Sequence, residues 1–158
     1  MNKWFSVSWN DEGFETTQEY NSLEDFPEGT YGFVYIITHV PTGKAYVGKK
    51  ALHHNLTKKL TKKELAEQKG PGRKSTSKKI QKESDWKTYF GSSKSILEMV
   101  KNGKQNEFTR EILVVAPSKK LLTYWETKIL FVLGVLEQPG IYFNDNILGS
   151  FYSKDFIA

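Results

Sequence analysis

The densest apolar stretch of the chain runs through residues 29–50, GTYGFVYIITHVPTGKAYVGKK, and its pattern predicts a β-hairpin. Residues 31–38 are rich in Tyr, Phe, Val and Ile, the aromatic and β-branched types that pack well on a pleated surface. Residues 44–48 form a shorter second arm. Between the arms, Pro41 presets φ for the second position of a turn and Gly43 accepts the positive φ that often follows. With His39 opposite Lys44, Ile37 faces Tyr46, and Tyr35 lies diagonally from Tyr46 on the same face. A one-residue slip or a bulge would separate the two phenols onto opposite faces.

The rest of the chain punctuates itself more weakly. In residues 1–26, Trp4, Ser6 and Ser8 alternate with Phe5, Val7 and Trp9, which predicts an extra strand or pair serving as a lid or edge over the core, with a shield that mimics DNA as the remote alternative. Residues 51–68 carry Leu56, Leu60 and Leu65 and read as one or two helices, and the Gly-, Pro- and Ser-rich residues 70–77 read as a loop. The aromatic and hydroxyl knot at 84–93 precedes a helix with an Ile96, Leu97, Val100 stripe, an N-cap at Ser92 or Ser93 and a stop at Gly103. Residues 108–115 alternate as a strand. Pro117 and Ser118 open a last helix running to Leu133. At about 100° per residue, Glu126 falls inside the apolar arc of Leu122, Trp125, Ile129 and Leu133. A carboxylate so placed needs a base, a set of donors or a metal facing it. A structural ion pair, a hydrogen bond to a Tyr and a functional site all satisfy that condition.

Composition changes this picture in two ways. The chain has 158 residues and no cysteine, enough for one domain with its own core and without disulfides or a thiolate metal site. Residues 1–14 hold no apolar segment of signal length, and no run approaches the ~20 apolar residues of a membrane span. A soluble cytoplasmic protein with no membrane partner is expected. The net charge of +5 is also unevenly distributed: residues 1–30 hold one base against seven acids, a net of −6, whereas residues 55–90 hold eleven bases against four acids, a net of +7. A charge run is most often a solvated surface loop. Here it holds most of the positive charge beside the hairpin, so Lys49, Lys58, Lys74, Lys78, Lys79 and Lys82 are candidate phosphate contacts.

Gly32-Phe33-Val34-Tyr35 and Tyr46-Val47-Gly48, with ten residues between the two tyrosines, resemble the paired motif of the GIY-YIG nuclease superfamily. The resemblance strengthens downstream, through Tyr89-Phe90-Gly91-Ser92-Ser93, Phe108 to Leu113, Glu126 on its helix and a closing Tyr142-Phe143-Asn144. It covers roughly residues 31–148, and in detail is most similar to stand-alone, phage-encoded members of homing type, which would place the protein in the cytoplasm of a bacterial host. It implies an α+β fold, a small α/β domain whose three-stranded antiparallel sheet is flanked by helices. On that fold residues 1–30 are an N-terminal extension, 31–150 the nuclease domain with a basic insertion at 55–85, and 151–158 a tail.

The resemblance further implies hydrolysis of phosphodiester bonds in double-stranded DNA with one divalent metal, Mg²⁺ or Mn²⁺, held by Glu126. Tyr35 or Tyr46 would activate or position the attacking water, Asn144 would brace the site, and Tyr89 and Lys44 would support it. Many relatives place an arginine on the helix after the second motif, yet residues 51–63 contain none. The chain's two arginines are Arg73 and Arg110. Arg73, Arg110 or Lys50 would then supply the positive charge, with a cross-strand ion pair as the competing role for Arg110. His53 and His54 are exposed helix residues without a role, or proton relays. A catalytically inactive nucleic-acid-binding module on the same basic surface is the alternative, and a structural protein with a buried tyrosine–glutamate network is a weaker third. One site per chain makes a double-strand cut awkward, so a transient dimer on DNA is expected if both strands are cut.

Overall fold

The computed structural model describes residues 3–10 and 13–156, with side-chain surroundings given outside residues 7–17. The expected facing of Val7, Ser8 and Trp9, and the acids Asp11, Glu12 and Glu15, lie outside the described residues. In chain order the strands are β1 (Trp4–Asn10), β2 (Gly13–Tyr20), β3 (Gly32–His39), β4 (Lys44–Ala51), β5 (His53–Lys59), β6 (Ser77–Glu83), β7 (Phe108–Ala116), β8 (Asn146–Ile147) and β9 (Phe151–Tyr152). The helices are α1 (Lys62–Ala66), α2 (Lys94–Lys101) and α3 (Lys119–Val132). Two compact units are formed, Met1–Leu52 with Asp85–Ala158, and His53–Ser84.

In the larger unit the sheet has five strands in the order β2-β1-β7-β3-β4. The expected three-stranded antiparallel sheet is present as β7-β3-β4, but it is not the whole: β1 joins β7 in parallel and β2 joins β1, making the sheet mixed. The fold is α+β. Opposite β3, β7 carries an extra residue where the register shifts between Val34 and Tyr35, and such a bulge bends the strand.

Alternation sends the two sides of β3 into separate cores. Phe33, Tyr35 and Ile37 pack with Trp4, Trp86, Ile96 and Ile112, while Val34 packs with Val47, Ala116, Leu122 and Leu130 of α3. Each such fully buried side chain contributes about 1.5–3 kcal/mol. Ser118 caps α3, its hydroxyl accepting from the Leu121 amide at 3.2 Å. Ser93 occupies the N-cap position of α2 without a side-chain cap bond.

The smaller unit differs from its predicted helices. β5 and β6 pair antiparallel from His53 opposite Glu83 to Lys59 opposite Ser77, and α1 is only five residues long, started by a Thr61–Glu64 capping box. The leucine spacing misled because the partner strand lies beyond the loop: Leu56 pairs across to Ile80, a contact that no local period reveals. His53 and His54 are strand residues, not helix residues. Among the described residues no helix is long and apolar enough to cross a membrane.

Candidate active site

The hairpin closes through its turn, with the Gly43 amide donating to the His39 carbonyl at 2.8 Å and Gly43 at φ +68°. Its register places Ile37 opposite Tyr46, Tyr35 opposite Gly48 and Phe33 opposite Lys50. The two phenols therefore share a face, their rings 6.3 Å apart, and Tyr89 meets Tyr35 edge-on at 5.9 Å. Tyr35 lies directly over Gly48, where an added Cβ would come within 2.5 Å of its hydroxyl. Gly91 presses on Tyr46 from the other side at φ +81°, so it both needs the left-handed region and leaves room for the ring.

α3 packs on the opposite face of the sheet, and its Glu126 lines one cleft with Tyr46. Lys49, one residue out of phase with the tyrosines, points to the α3 side. Its ammonium lies 2.7 Å from the Glu126 carboxylate and donates to Thr123 Oγ1 at 3.2 Å. This ion pair satisfies the carboxylate on the apolar arc, whose side chain is 17 % exposed. The edge of β4 is closed by Asn144. Its amide oxygen accepts from the Val47 N–H at 3.0 Å and its amide nitrogen donates to the Val47 carbonyl at 2.8 Å, as a neighbouring strand would.

The three phenols are held in their neutral form. Burial raises Tyr35 well above an ordinary phenol, and the neighbouring tyrosines and the Glu126 charge add to the rise. Burial likewise raises Tyr46 and Tyr89, again with Glu126 contributing. The Tyr46 and Ser92 hydroxyls are 2.7 Å apart. Tyr35 is 1 % exposed, whereas Tyr46 opens onto a cleft of about 710 Å³. Lys49, Ser92, Glu126, Asn144 and Asp145 also line that cleft.

The other candidates lie elsewhere. Lys50 stays on the tyrosine face, its ammonium 2.5 Å from Asp85 and 3.8 Å from the centre of the Tyr89 ring. The Lys44 ammonium sits 4.8 Å from the centre of the Phe143 ring. Arg110 is 2 % exposed and donates to the Lys87 and Tyr89 carbonyls at 3.0 and 2.9 Å between the rings of Trp4 and Phe90. So placed, it braces the segment that carries Tyr89. Arg73, Lys58, Lys74, Lys78, Lys79 and Lys82 belong to the smaller unit, where Lys78 pairs with Glu64. Sequence reasoning offered Ser92 only as a helix cap and gave no site role to Asp145 or Trp4. Trp4 donates from its indole to the Trp86 carbonyl at 2.7 Å and meets the Tyr35 ring at 5.3 Å. Ser92 stood inside a quoted motif, but nothing local marks Trp4, whose partner is 82 residues away.

Among the described residues no group of three or more His, Cys, Asp or Glu side chains gathers to hold a metal. The cleft nevertheless offers oxygen donors throughout, from Glu126, Asp145, Tyr46, Ser92 and Asn144. A hard cation such as Mg²⁺ prefers oxygen and keeps several waters, so one carboxylate in a roomy, oxygen-lined cleft fits it.

Residues 15–147 match the model of the SegE GIY-YIG family, described as "Putative endonuclease segE, GIY-YIG domain". The chain belongs to this GIY-YIG family. The matched span runs from β2 to β8, so Tyr46, Lys49, Ser92, Glu126, Asn144 and Asp145 of the cleft all lie within the GIY-YIG domain. No match was found among curated proteins or among solved structures.

Proposed function

We propose that the protein is a divalent-metal-dependent DNA endonuclease that hydrolyses phosphodiester bonds at the cleft between β4 and α3. The observation that carries this reading is the convergence of Tyr46, Lys49 and Glu126 on one cleft within a GIY-YIG endonuclease domain. Glu126 would hold the metal, Mg²⁺ or Mn²⁺. Once bound, the ion would lower the pKa of a water and polarise a phosphoryl oxygen.

The protein's own groups do the rest. Tyr46, kept neutral by burial and hydrogen-bonded to the Ser92 hydroxyl, orients the attacking water rather than removing its proton. Lys49 takes the place expected of Arg73, Arg110 or Lys50. It is the cation paired with Glu126, and it meets the growing charge on the phosphate as a point charge, without the two-pronged grip of an arginine. Tyr35 positions Tyr46 by ring packing and is itself packed edge-on by Tyr89. Asn144 fixes the β4 edge on which Lys49 stands.

Supercoiled plasmid with Mg²⁺ is expected to become nicked or linear, EDTA is expected to stop the reaction, and Tyr46→Phe is expected to slow it by about 10²-fold. Retardation of DNA without cutting under any divalent ion would reject this reading. It would instead support a catalytically inactive DNA-binding module, which the burial of Arg110 away from the cleft favours.

Gly48→Ala supplies an independent check. The added methyl must push the Tyr35 ring, which the buried cluster of Trp4, Phe33 and Tyr89 holds in place. A displacement of about 1 Å is expected to lower the cleavage rate roughly 10²-fold. Circular dichroism should remain that of the folded protein, and wild-type cleavage by this variant would show that the tyrosine packing is not needed.

A further inference from the structure

The unit His53–Ser84 holds ten bases against three acids, a net of +7, so the rest of the chain carries −2. The whole positive excess thus sits in this unit, and its two-stranded ribbon, β5 with β6, carries five lysines against one acid. Pairing and alternation sort its side chains onto two faces. His54, Leu56 and Lys58 share one face with Lys82, Ile80 and Lys78 opposite them. His53 opposite Glu83 and Lys59 opposite Ser77 end the other face, and Asn55 opposite Gln81 and Thr57 opposite Lys79 fill its centre. These last four are exposed, and among the described residues no side-chain hydrogen bond occupies any of them. Two amides, a hydroxyl and an ammonium, paired across the strands yet unbonded, form a hydrogen-bonding surface without an internal partner.

We propose that this ribbon lies in the major groove of duplex DNA, with Asn55, Thr57, Lys79 and Gln81 against the base edges and Lys58 and Lys82 on the flanking phosphates. The inference rests on the DNA reading above and adds to it the residues that choose the sequence. A major groove about 12 Å wide admits a two-stranded ribbon, whose strands lie about 5 Å apart. The residue types match that surface: Asn and Gln are shaped to pair with adenine, Lys with guanine, and Thr with either a polar edge or the thymine methyl. The face of Leu56 and Ile80 lacks such donors and acceptors in its centre. Its lysines instead suit phosphates, with Lys58 and Lys82 left to contact a polyanion while Lys78 is paired with Glu64.

The test measures binding rather than cutting. The full-length wild-type chain in EDTA is incubated with duplexes carrying a randomised segment, and bound molecules are sequenced. A preferred sequence should emerge. In Asn55→Ala/Gln81→Ala, and separately in the nearly isosteric Thr57→Val, preference for that sequence over random duplex should fall roughly tenfold or more, with random-duplex affinity and its salt dependence unchanged. Lys58→Ala/Lys82→Ala should weaken binding to every sequence and reduce the salt slope by about one unit per lysine. Hydrogen exchange across residues 53–83 confirms that the ribbon remains paired in each variant. If wild type selects no sequence, or the first two variants select the same one, the base-reading assignment is overturned while the cleavage reading stands. An unchanged salt slope overturns the phosphate contacts. Failure to bind duplex at all overturns the inference, and the cleavage reading falls with it only if plasmid is also left intact in Mg²⁺.

Discussion

Glu126→Gln is expected to lower Mg²⁺-dependent cleavage by about 10³-fold, because a metal held at a developing charge contributes several kcal/mol to the transition state and each 1.36 kcal/mol is a factor of ten. The substitution keeps the shape of the side chain and removes its charge. The amide oxygen can still accept from Lys49, whose ammonium is 2.7 Å from the carboxylate, so the loss of stability should stay near 1 kcal/mol for this partly exposed pair. DNA binding should persist, since the positive excess resides in His53–Ser84.

A second readout does not depend on activity. The Glu126 charge contributes to the raised values of Tyr35, Tyr46 and Tyr89, so its removal should let all three phenols ionise at lower pH in an ultraviolet titration. Glu126→Asp keeps the charge and should keep part of both effects. Wild-type cleavage by Glu126→Gln would remove Glu126 from the site, and an unmoved tyrosine titration would show that its charge does not reach the phenols.

The parts of this arrangement that were legible in the sequence are those whose causes are local or periodic. The hairpin register followed from turn residues and alternation, and the β4 pairing places Tyr46 as that register required. The position of Glu126 followed from its angle on α3. Its partner did not, because the sequence left open which base, donor or metal would face it and offered Lys49 only as a phosphate contact. Glu126 is reached from the other face of β4, and that assigns the ion pair to Lys49. The ribbon was misread as helix for a related reason: β5 and β6 are joined by a loop and a short helix, and their pairing is enforced across the chain rather than along it. The same holds for β1, which gains its neighbour β7 about a hundred residues later. Its Trp4 underlies Tyr35 from a segment that carried no functional signal. Distant pairings that meet backbone carbonyls or ring edges leave no spacing to read.

Arg110→Met tests the most consequential of these distant contacts and is expected to destabilise the fold by about 3 kcal/mol, lowering Tm by roughly 6–12 °C for a chain of this size. Burial brings the Arg110 guanidinium down to about 10, so it is still protonated at neutral pH. Replacing a buried ionic group with an apolar one of similar volume is often harmless when both partners are replaced together. Here the acceptors are the carbonyls of Lys87 and Tyr89, which no side-chain substitution can remove. Each is left short of a donor at about 1–3 kcal/mol, and the stacking on Trp4 and Phe90 is weakened as well. Met preserves most of the packing, so the loss reports the hydrogen bonds. Arg110→Lys should fall between Met and wild type, because a single ammonium on a shorter fork cannot reach both carbonyls with the same geometry. The damage should also reach the cleft: once residues 87–89 are released, the Tyr89 ring no longer packs against Tyr35, and cleavage should drop even well below the melting temperature. A Met variant as stable as wild type would show that Arg110 is not the brace. A variant that melts early but cuts normally when cold would separate the brace from the site.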